Sequence, residues 1–484
     1  MTFKVLFLSP HYLAKKSSQD PFRHELISEV AKKSDEFLYI QTNDFYDELT
    51  GIFPQKNDET LFYNKIKKFS PTLIISLNAS GITNRLVTLF PNLEYKVWFI
   101  DNPWRIPEHM LLPLKECQNL TVYGASDSPN SWLVTYFGEE KCGKTLFFCS
   151  KKDLVTDPIP FEDRKYDFSY IGSLWNVSQF GLTLQSLKPN SEQFLMAKKL
   201  ITDHFHSYKS DLVKHFREIF PESTFSGPEI FALFDDHCSS YKRLSIITEL
   251  AKVTDKGFVA GNSEWWTQVG IFEPGLSTFY SPEVVQKTER LFEIYRDSKI
   301  GLNISHHQTK GKGMPLRCFD LLSSGVILVT NTEVEKESGL IEGKHYFLFK
   351  EADELAQIYK TIINDQQKYL GYAIEAQSII RDRHTFQHRA NSLTEGYKKI
   401  KNDISLYIMA KNKITFDVEG AVTNIGFVEE RTSSFADHFK FTNRTRTPII
   451  FLLLKLISLV SKKPIAGISR YVAINNAIKY LQRK

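Results

Sequence analysis

The chain has 484 residues, of which 42% are hydrophobic and 13% aromatic, and its formal net charge is +5. This length can form two or three domains with their own cores, and the composition excludes a wholly disordered chain. The five cysteines form no C-x-x-C pair, which disfavours a zinc site or a disulfide framework and favours a reducing compartment. The start, MTFKVLFLSPHYLAKK, lacks the length and cleavage site of a signal peptide. We therefore expect a cytoplasmic protein.

Predicted strands alternate with amphipathic helical segments in the first part of the chain, which is typical of a parallel sheet covered on both faces. The strand candidates are residues 3–9, 36–42, 71–78, 95–101, 120–126 and 144–150. After a linker at 151–165, a second series has strands at 166–174, 257–261, 299–305, 325–331 and 346–350 and helices at 353–365 and 366–386. We predict an α/β protein with two Rossmann-like domains, at 1–160 and 161–400, then an extension at 401–484.

Residues 138–145, GEEKCGKT, match the phosphate-loop pattern G-x-x-x-x-G-K-[ST], in which glycine amides and a lysine bind nucleotide phosphates. A phosphate loop follows a strand and precedes a helix. Here apolar residues at helical spacing from Trp132 to Phe137 predict a helix that ends at Gly138, and the following TLFFCS predicts a strand. Two glutamates inside the segment would also repel phosphate. We therefore interpret the match as a turn between a helix and a strand.

Residues 296–355 contain the strongest indication of binding chemistry. A predicted strand ends in a loop rich in His and Lys, a helix begins near Pro315, and a glycine separates that helix from the next strand. Free amides and the positive dipole end at a helix N-terminus favour an anion. Lys310, Lys312 and Arg317 add charge that suits a diphosphate. We therefore expect nucleotide phosphates to bind at this loop and helix start.

In this region the sequence resembles the group 1 glycosyltransferases, in particular the branch of spore-maturation CgeB-like proteins. MPLRCFDLLSSGVILVTN (314–331) is similar to that family's R-x-[FY]-E/D-x-x-A-x-G-x-x-x-[VIL]-T segment. YDFSYIGSL (166–174) resembles the first strand and glycine loop of the sugar-nucleotide domain, and VWFIDNPWRI (97–106) resembles the family's W-x-x-D-x-P. The resemblance extends from residue 3 to about 397. It implies the GT-B fold, in which two Rossmann-like domains face each other across a cleft and the second holds a nucleotide-sugar.

The resemblance also implies roles for residues of the second domain. Asp320 matches the acidic residue that touches the donor sugar or ribose, and Arg317, one helical turn earlier, could face the diphosphate. Gly172 and Ser173 would approach the phosphates through backbone amides. Gly261 could pass close to the nucleotide, beside two tryptophans that either stack on a base or pack in the core. As structural alternatives, Asp320 could pair with Arg317 on the helix, and Gly172 could serve only a turn.

An inverting reaction would need a general base in the first domain, facing the acceptor. The ends of the predicted strands and the loops after them offer three candidates, Asp101, His11 and Asp20. Asp101 is the best placed, although the string D-N-P also favours an Asx-turn, which would give this residue a structural role. The stereochemical outcome stays open, because Lys312 occupies the position of the first glutamate in the retaining E-x7-E pattern.

The last residues of the chain differ from the rest in charge. From Lys440 to the end there are ten Lys or Arg and no Asp or Glu, and the apolar run TPIIFLLLKLISLV at 447–460 is interrupted by a lysine. This run is shorter than the ~20 apolar residues that span a bilayer. It favours peripheral contact with an anionic membrane through residues 444–484, and the alternative is a helix packed on the body. Since stacking aromatic residues are nearly absent from the tail, we expect no nucleic-acid partner.

These features predict a glycosyltransferase that moves a sugar from a nucleotide-sugar donor to a glycan, lipid-linked or protein acceptor in cell-surface polysaccharide synthesis. We expect no cofactor and no metal, because Lys and Arg would neutralise the donor phosphates and the adjacent His306 and His307 face opposite ways on an extended chain. The expected location is the cytoplasm, at the inner face of the membrane. A non-catalytic GT-B-like scaffold subunit and another GT-B enzyme, such as a sugar-nucleotide epimerase, stay open as alternatives.

Overall fold

The computed structural model divides the chain into two compact units, Met1–Val428 and Glu429–Lys484. The residues that it describes are 2–10, 21–48, 50–151, 158–174, 186–206, 211–262, 265, 274–283, 285, 288–402, 404–409 and 424–427. The second unit lies outside this described part, and so does the basic tail at 444–484. Among the described residues, no helix has the length and apolar character needed to cross a membrane.

The strands of the described part form two parallel sheets. In chain order they are β1 (Lys4–Ser9), β2 (Glu36–Gln41), β3 (Leu73–Leu77), β4 (Glu94–Phe99), β5 (Asn119–Gly124), β6 (Tyr166–Ile171), β7 (Gly257–Ala260), β8 (Ser298–Asn303), β9 (Ile327–Thr330), β10 (Tyr346–Leu348), β11 (Ser405–Met409) and β12 (Asn424–Phe427). The first sheet has the order β12-β11-β2-β1-β3-β4-β5 and the second β10-β9-β8-β6-β7. In each sheet the first strand of the series lies between the second and the third, so both sheets reverse their strand order at an equivalent point.

Helices connect the strands and cover the sheets. They are α1 (Pro21–Lys32), α2 (Lys56–Phe69), α3 (Asn84–Leu89), α4 (Glu108–Lys115), α5 (Asp127–Phe137), α6 (Glu192–His206), α7 (Leu212–Ile219), α8 (Gly227–Leu250), α9 (Thr288–Arg296), α10 (Leu316–Ser323), α11 (Ala352–Asn364), α12 (Gln366–Arg383) and α13 (Phe386–Leu393). This arrangement confirms the predicted α/β class with two Rossmann-like domains.

Strand β1 illustrates why the first sheet is buried on both faces. Val5 and Phe7 pack into one core with α1, whereas Leu6 and Leu8 pack into a second core with α2. Successive side chains of a strand point to opposite faces, so a continuous apolar run buries both of them. Full burial of one such side chain contributes roughly 1.5–3 kcal/mol. The second sheet follows the same rule between its own two clusters of apolar residues.

Helix α13 returns the chain to the first domain. The side chains of Phe386, Ala390 and Leu393 lie in the first sheet's core, and the ring of Phe386 is 5.5 Å from that of Phe22 in α1. Strand β11 then pairs with β2, and β12 pairs with β11. From the sequence, residues 161–400 are predicted to form the second domain and residues 401–484 an extension. In the structure, α13 packs in the first domain's core, and two strands from the expected extension complete its sheet.

The phosphate-loop match at 138–145 lies in the predicted turn. Helix α5 ends at Phe137, and Gly138 caps it with a φ of 94°. A Cβ atom at Gly138 would come within 2.5 Å of the Glu140 carboxylate. The segment therefore follows a helix, as predicted, and lacks the strand that precedes a phosphate loop.

The prediction of a strand at 144–150 is wrong. Leu146 donates its N–H to the Gly124 carbonyl at 2.9 Å, but no regular strand follows. The Arg389 guanidinium binds the carbonyl oxygens of Phe147 and Phe148 at 2.5 and 2.9 Å. An arginine, in place of the backbone of a neighbouring strand, donates to these two carbonyls, and the segment is an irregular connection between the domains.

Candidate functional site

The carboxyl edges of the two sheets meet at the loop of residues 305–313, which follows β8. Asn102, just after β4, donates its Nδ2 hydrogen to the Gln308 carbonyl at 2.8 Å. Arg105 donates from Nη1 to Oε1 of Gln308 at 2.6 Å. Ligands of open α/β sheets bind outside the carboxyl ends of the strands. The 305–313 loop therefore joins the two places where ligands are expected.

A cavity of about 460 Å³ lies at the carboxyl ends of β8, β9 and β10. Its size falls in the ~300–1,000 Å³ range of small-molecule sites. Four lysines and two glutamates line it, so the lining has an excess of positive charge, which suits a polyanion such as a diphosphate. The charged lining residues are Lys242, Lys310, Lys312, Lys350, Glu333 and Glu351.

Two of these lysines lie against aromatic rings, Lys242 half-buried and Lys310 exposed at the surface. Nζ of Lys242 is 5.1 Å from the centroid of the Phe205 ring, and Nζ of Lys310 is 4.0 Å from that of Trp104. Burial lowers the pKa of both ammonium groups. An anion in the cavity would compensate for this lost hydration, because a partly buried charge gains most from a charged hydrogen-bond partner.

Helix α8 anchors the start of the 305–313 loop. The His306 ring bonds through Nε2 to the Asp236 carboxylate at 2.8 Å. The backbone N–H of His307 donates to Ser239 Oγ at 2.7 Å. The ring Nε2 of His307 lies 2.7 Å from the His204 carbonyl oxygen. The adjacent histidines thus bind different partners, and both hold the loop that carries Lys310.

One group of side chains has the composition of a metal site. His204, Asp235 and His307 are buried, and each offers a ligand atom, all within 4.8 Å of one another. The atoms already bond within the protein, since His204 Nε2 lies 2.9 Å from Asp235 Oδ1. The Lys242 ammonium is 3.4 Å from His307 Nδ1 and would repel a second cation there. These contacts favour a hydrogen-bonded anchor for the loop over a cation site.

The structure brings Gly172, Gly261 and Arg317 together at the carboxyl ends of β6 and β7. A Cβ at Gly261 would lie 2.1 Å from the Gly172 carbonyl oxygen, and a Cβ at Gly172 would lie 2.6 Å from Nη2 of Arg317. The Arg317 guanidinium stacks on the ring of Tyr170, 4.9 Å from its centroid. The Gly172 amide donates to the Ala260 carbonyl at 2.9 Å. That amide, expected to bind phosphate, is therefore occupied in the sheet.

Neighbouring side chains donate hydrogen bonds to the carbonyl oxygens of this glycine loop. Arg243, in α8, donates to the Ser173 carbonyl at 2.5 Å and is almost fully buried. The indole N–H of Trp265 donates to the Gly172 carbonyl at 2.6 Å, and its side chain is fully buried. Core packing of Trp265 is thus confirmed over stacking on a base, whereas Trp266 lies outside the described residues.

Asp320 lies against the connection between the domains and does not line the cavity. Its Oδ1 accepts a hydrogen bond from Ser150 Oγ at 2.9 Å. Burial raises the pKa of Asp320 to about 7, against the opposing effects of Ser150 and Arg317. Arg317 is likewise absent from the cavity lining, whereas Lys310 and Lys312 belong to it.

Asp101, the predicted general base, is exposed at the end of β4 and is held by Asn78. Nδ2 of Asn78 donates to Oδ2 of Asp101 at 2.8 Å. Oδ1 of Asn78 accepts the backbone N–H groups of Ile100 and Asp101 at 2.9 and 3.1 Å. The other candidates, His11 and Asp20, lie outside the described residues.

Sequence reasoning missed Lys242, Lys350, Arg243 and Asn78. Lys350 ends the predicted strand YFLFK, and its position at a strand's carboxyl end was a usable signal. Lys242 and Arg243 sit in a long helix with no local motif. Only the packing of α8 against the sheet's edge brings them to the site.

Comparisons with known proteins agree with this architecture. A family model described as glycosyl transferase-like matches residues 247–395. HepE from Anabaena, solved in complex with UDP, aligns with a TM-score of 0.50 and 12% identity over 81% of this chain and 99% of its own. The chain has the GT-B fold. No curated protein sequence is similar enough to count as a relative.

Other GT-B structures align at lower scores. A glycosyltransferase from Rickettsia africae aligns with a TM-score of 0.48 and 12% identity over 82% of this chain and 100% of its own. Sucrose-phosphate synthase from Thermosynechococcus elongatus aligns with a TM-score of 0.45 and 10% identity over 81% and 97%. The fold assignment rests on the HepE alignment and on the two parallel sheets. In this GT-B chain, the lysine-lined cavity belongs to the second domain.

Proposed function

We propose that the protein is a glycosyltransferase that takes a sugar from a nucleotide-sugar bound in the lysine-lined cavity. The observation that carries this proposal is the cavity itself, a space of about 460 Å³ at the carboxyl edge of the second sheet with four lysines in its lining. As the glycosidic bond to phosphate breaks, negative charge develops on the leaving nucleoside diphosphate, and fixed ammonium groups stabilise it. The glycosyl transferase-like match covers the strands and loops that form most of the cavity.

Finer parts of the proposal rest on sequence. We propose a glycan, lipid-linked or protein acceptor in cell-surface polysaccharide synthesis, membership of the CgeB-like branch, and peripheral membrane contact through the basic residues 444–484. We also propose that the reaction needs no metal, since lysines supply the charge that a cation would otherwise bring to the diphosphate. Asp101, His11 and Asp20 stay candidates for the base, and Asp320 for contact with the donor sugar.

A nucleotide screen tests the donor site. The full chain is mixed with UDP, GDP, ADP, CMP and the corresponding nucleotide-sugars, with and without EDTA, and its unfolding temperature is measured. HepE was solved with UDP, so UDP is the first probe. We expect one nucleotide family to raise the Tm, and EDTA to leave that shift unchanged. The stabilising nucleotide-sugar is then incubated with the protein, and the release of nucleoside diphosphate is measured.

The matched control separates the cavity from general charge effects. Lys242→Met removes a cavity ammonium and keeps the length of the side chain, whereas Lys67→Met does the same at an exposed position on α2. At the same nucleotide concentration, the rise in Tm should be much smaller in the first variant and unchanged in the second. Absence of stabilisation by every nucleotide in the wild type would reject the donor site, and binding without turnover would favour a non-catalytic subunit.

A further inference from the structure

The turn that follows β3 has strained backbone angles, and one of its residues, Asn78, contacts Asp101. Asn78 and Ala79 are consecutive non-glycine residues with φ values of 53° and 61°. Residues other than glycine rarely adopt these left-handed backbone angles, and the strain persists only where surrounding contacts hold the backbone in place. The two residues lie at the carboxyl end of β3, next to β1, where the first sheet reverses its strand order.

The left-handed turn points the Asn78 amide at the loop after β4. Its oxygen accepts two backbone N–H groups, from Ile100 and Asp101. These donors identify which end of the amide is oxygen, so Nδ2 faces the Asp101 carboxylate at 2.8 Å. Asn78 is 6% exposed and therefore has little freedom to turn away. Asp101 itself is exposed, and among the described residues its Oδ1 has no hydrogen-bond partner.

The next residues along the chain connect this carboxylate to the donor site. Asn102 and Arg105 bind Gln308, and the Trp104 ring lies under the Lys310 ammonium that lines the cavity. A carboxylate with one oxygen held and the other open is suited to accept a proton from a substrate hydroxyl. Its location at the meeting point of the two sheet edges suits a hydroxyl that approaches a donor bound beside Lys310.

We propose that Asn78 is a positioning residue that orients Asp101 to accept the proton of the acceptor hydroxyl. The inference rests on the proposed glycosyl transfer and extends it to an inverting displacement. The acceptor oxygen bonds to the anomeric carbon while its proton passes to Oδ1 of Asp101. The bond from that carbon to the diphosphate oxygen breaks, and its electron pair leaves with the nucleoside diphosphate. Asp101 then returns its proton to water.

The test uses the full chain and the nucleotide-sugar that stabilises it most, with water as the acceptor. We expect Asp101→Asn to lower kcat by ~100-fold or more, because general base catalysis contributes ~10²–10⁴-fold. Asn78→Asp keeps the acceptor of the two backbone N–H groups and replaces the donor by a second carboxylate oxygen. We expect it to lower kcat at pH 7 by ~10-fold or more, with the donor KM within about twofold of wild type.

A pH profile distinguishes positioning from a structural role. Two carboxylates about 3 Å apart share a proton, so the acidic limb of kcat should move to higher pH in Asn78→Asp. The double variant Asn78→Asp/Asp101→Asn has one carboxylate and should be as slow as Asp101→Asn, without a displaced limb. Ala79→Gly is the matched control, because it relaxes the neighbouring strained position without touching the amide. It should keep wild-type kcat.

Two results would overturn the inference while leaving the donor site intact. One is an Asn78→Asp enzyme with the wild-type kcat and pH profile, and the other is a product that retains the donor's anomeric configuration. A wild-type chain that binds nucleotide-sugars and releases no diphosphate from any of them would reject the proposed function and the inference together. Equal losses of kcat in Ala79→Gly and Asn78→Asp would reduce Asn78 to a structural residue.

Discussion

The two sheets have the same strand order around their switch points, but the chemistry at their carboxyl edges is opposite. The second domain's edge presents four cavity lysines. The first domain's edge presents carboxylates, with Asp101 held by Asn78 and Glu48 held by the hydroxyls of Thr42 and Ser80. The proposed transfer reaction would use the basic edge of one copy of the fold to bind phosphate and the acidic edge of the other copy to accept a proton.

Replacing a cavity lysine tests whether nucleotide binding is confined to the basic edge, and we expect it to have the largest effect on affinity. If UDP is the nucleotide that stabilises the protein, Lys242→Met should weaken its binding by ~10-fold to 100-fold, because a hydrogen bond to a charged group contributes ~1.5–3 kcal/mol. Glu48→Gln, at the opposite edge, should leave UDP affinity within about twofold of wild type. Isothermal titration calorimetry measures both. Comparable losses in the two variants would show that donor binding is not confined to the basic edge.

The next effect concerns two carboxyl groups at contacts between the domains, of which Glu335 is buried and Asp320 is partly exposed. Asp320 binds Ser150, and Glu335 accepts the backbone N–H of Asp127 at 3.2 Å. Burial raises the pKa of each carboxyl group to about 7, from ordinary values of 3.8 and 4.5. Between these ordinary values and pH 7, the unfolded chain has lost protons that the native chain retains. These two groups therefore lower the free energy of unfolding as the pH rises through this window, whereas His307 and His384, whose pKa values burial lowers, raise it.

Urea unfolding at pH 5 and pH 8 measures this loss. Relative to the wild type, Asp320→Asn and Glu335→Gln should each gain about 2 kcal/mol of stability between pH 5 and pH 8, because neither amide ionises and the ionised carboxylate relaxes only in part. A variant whose stability relative to the wild type is the same at pH 5 and pH 8 would contradict the raised pKa of the carboxyl group that it replaces.

Much of the fold follows from local sequence, and the departures have long-range causes. Apolar runs such as that of β1 predict strands because both faces of a parallel sheet bury them. Residues 144–150 have the same apolar character, yet Arg389, far along the chain, binds their carbonyls. Helix α13 likewise carries no local sign that it packs against α1.

The candidate site divides in the same way. Lys310 and Lys312 are predictable as phosphate-binding residues, because a lysine-rich loop after a strand is a local pattern. Lys242 becomes a site residue only through the packing of α8, which no short motif records. The sequence indicates Asp101 as one of three candidate general bases. Asn78, which binds Asp101, lies one helix and one strand earlier in the chain. Pairs of this kind depend on how strand ends meet.

A smaller effect is expected at Trp104, a residue of the acidic edge whose ring lies under a cavity lysine. Trp104 stacks with Lys310 at 4.0 Å, so it reaches the donor site without lining the cavity. A cation–π contact at a partly exposed position contributes ~0.5–1 kcal/mol, so Trp104→Ala should weaken UDP binding by about twofold to fivefold and Trp104→Phe by less. Calorimetry at two salt concentrations measures this. A 100-fold loss would mean that the first domain helps to form the donor site, and the division between the edges would fail. An unchanged affinity would mean that Lys310 keeps its position through the anchors on α8 alone.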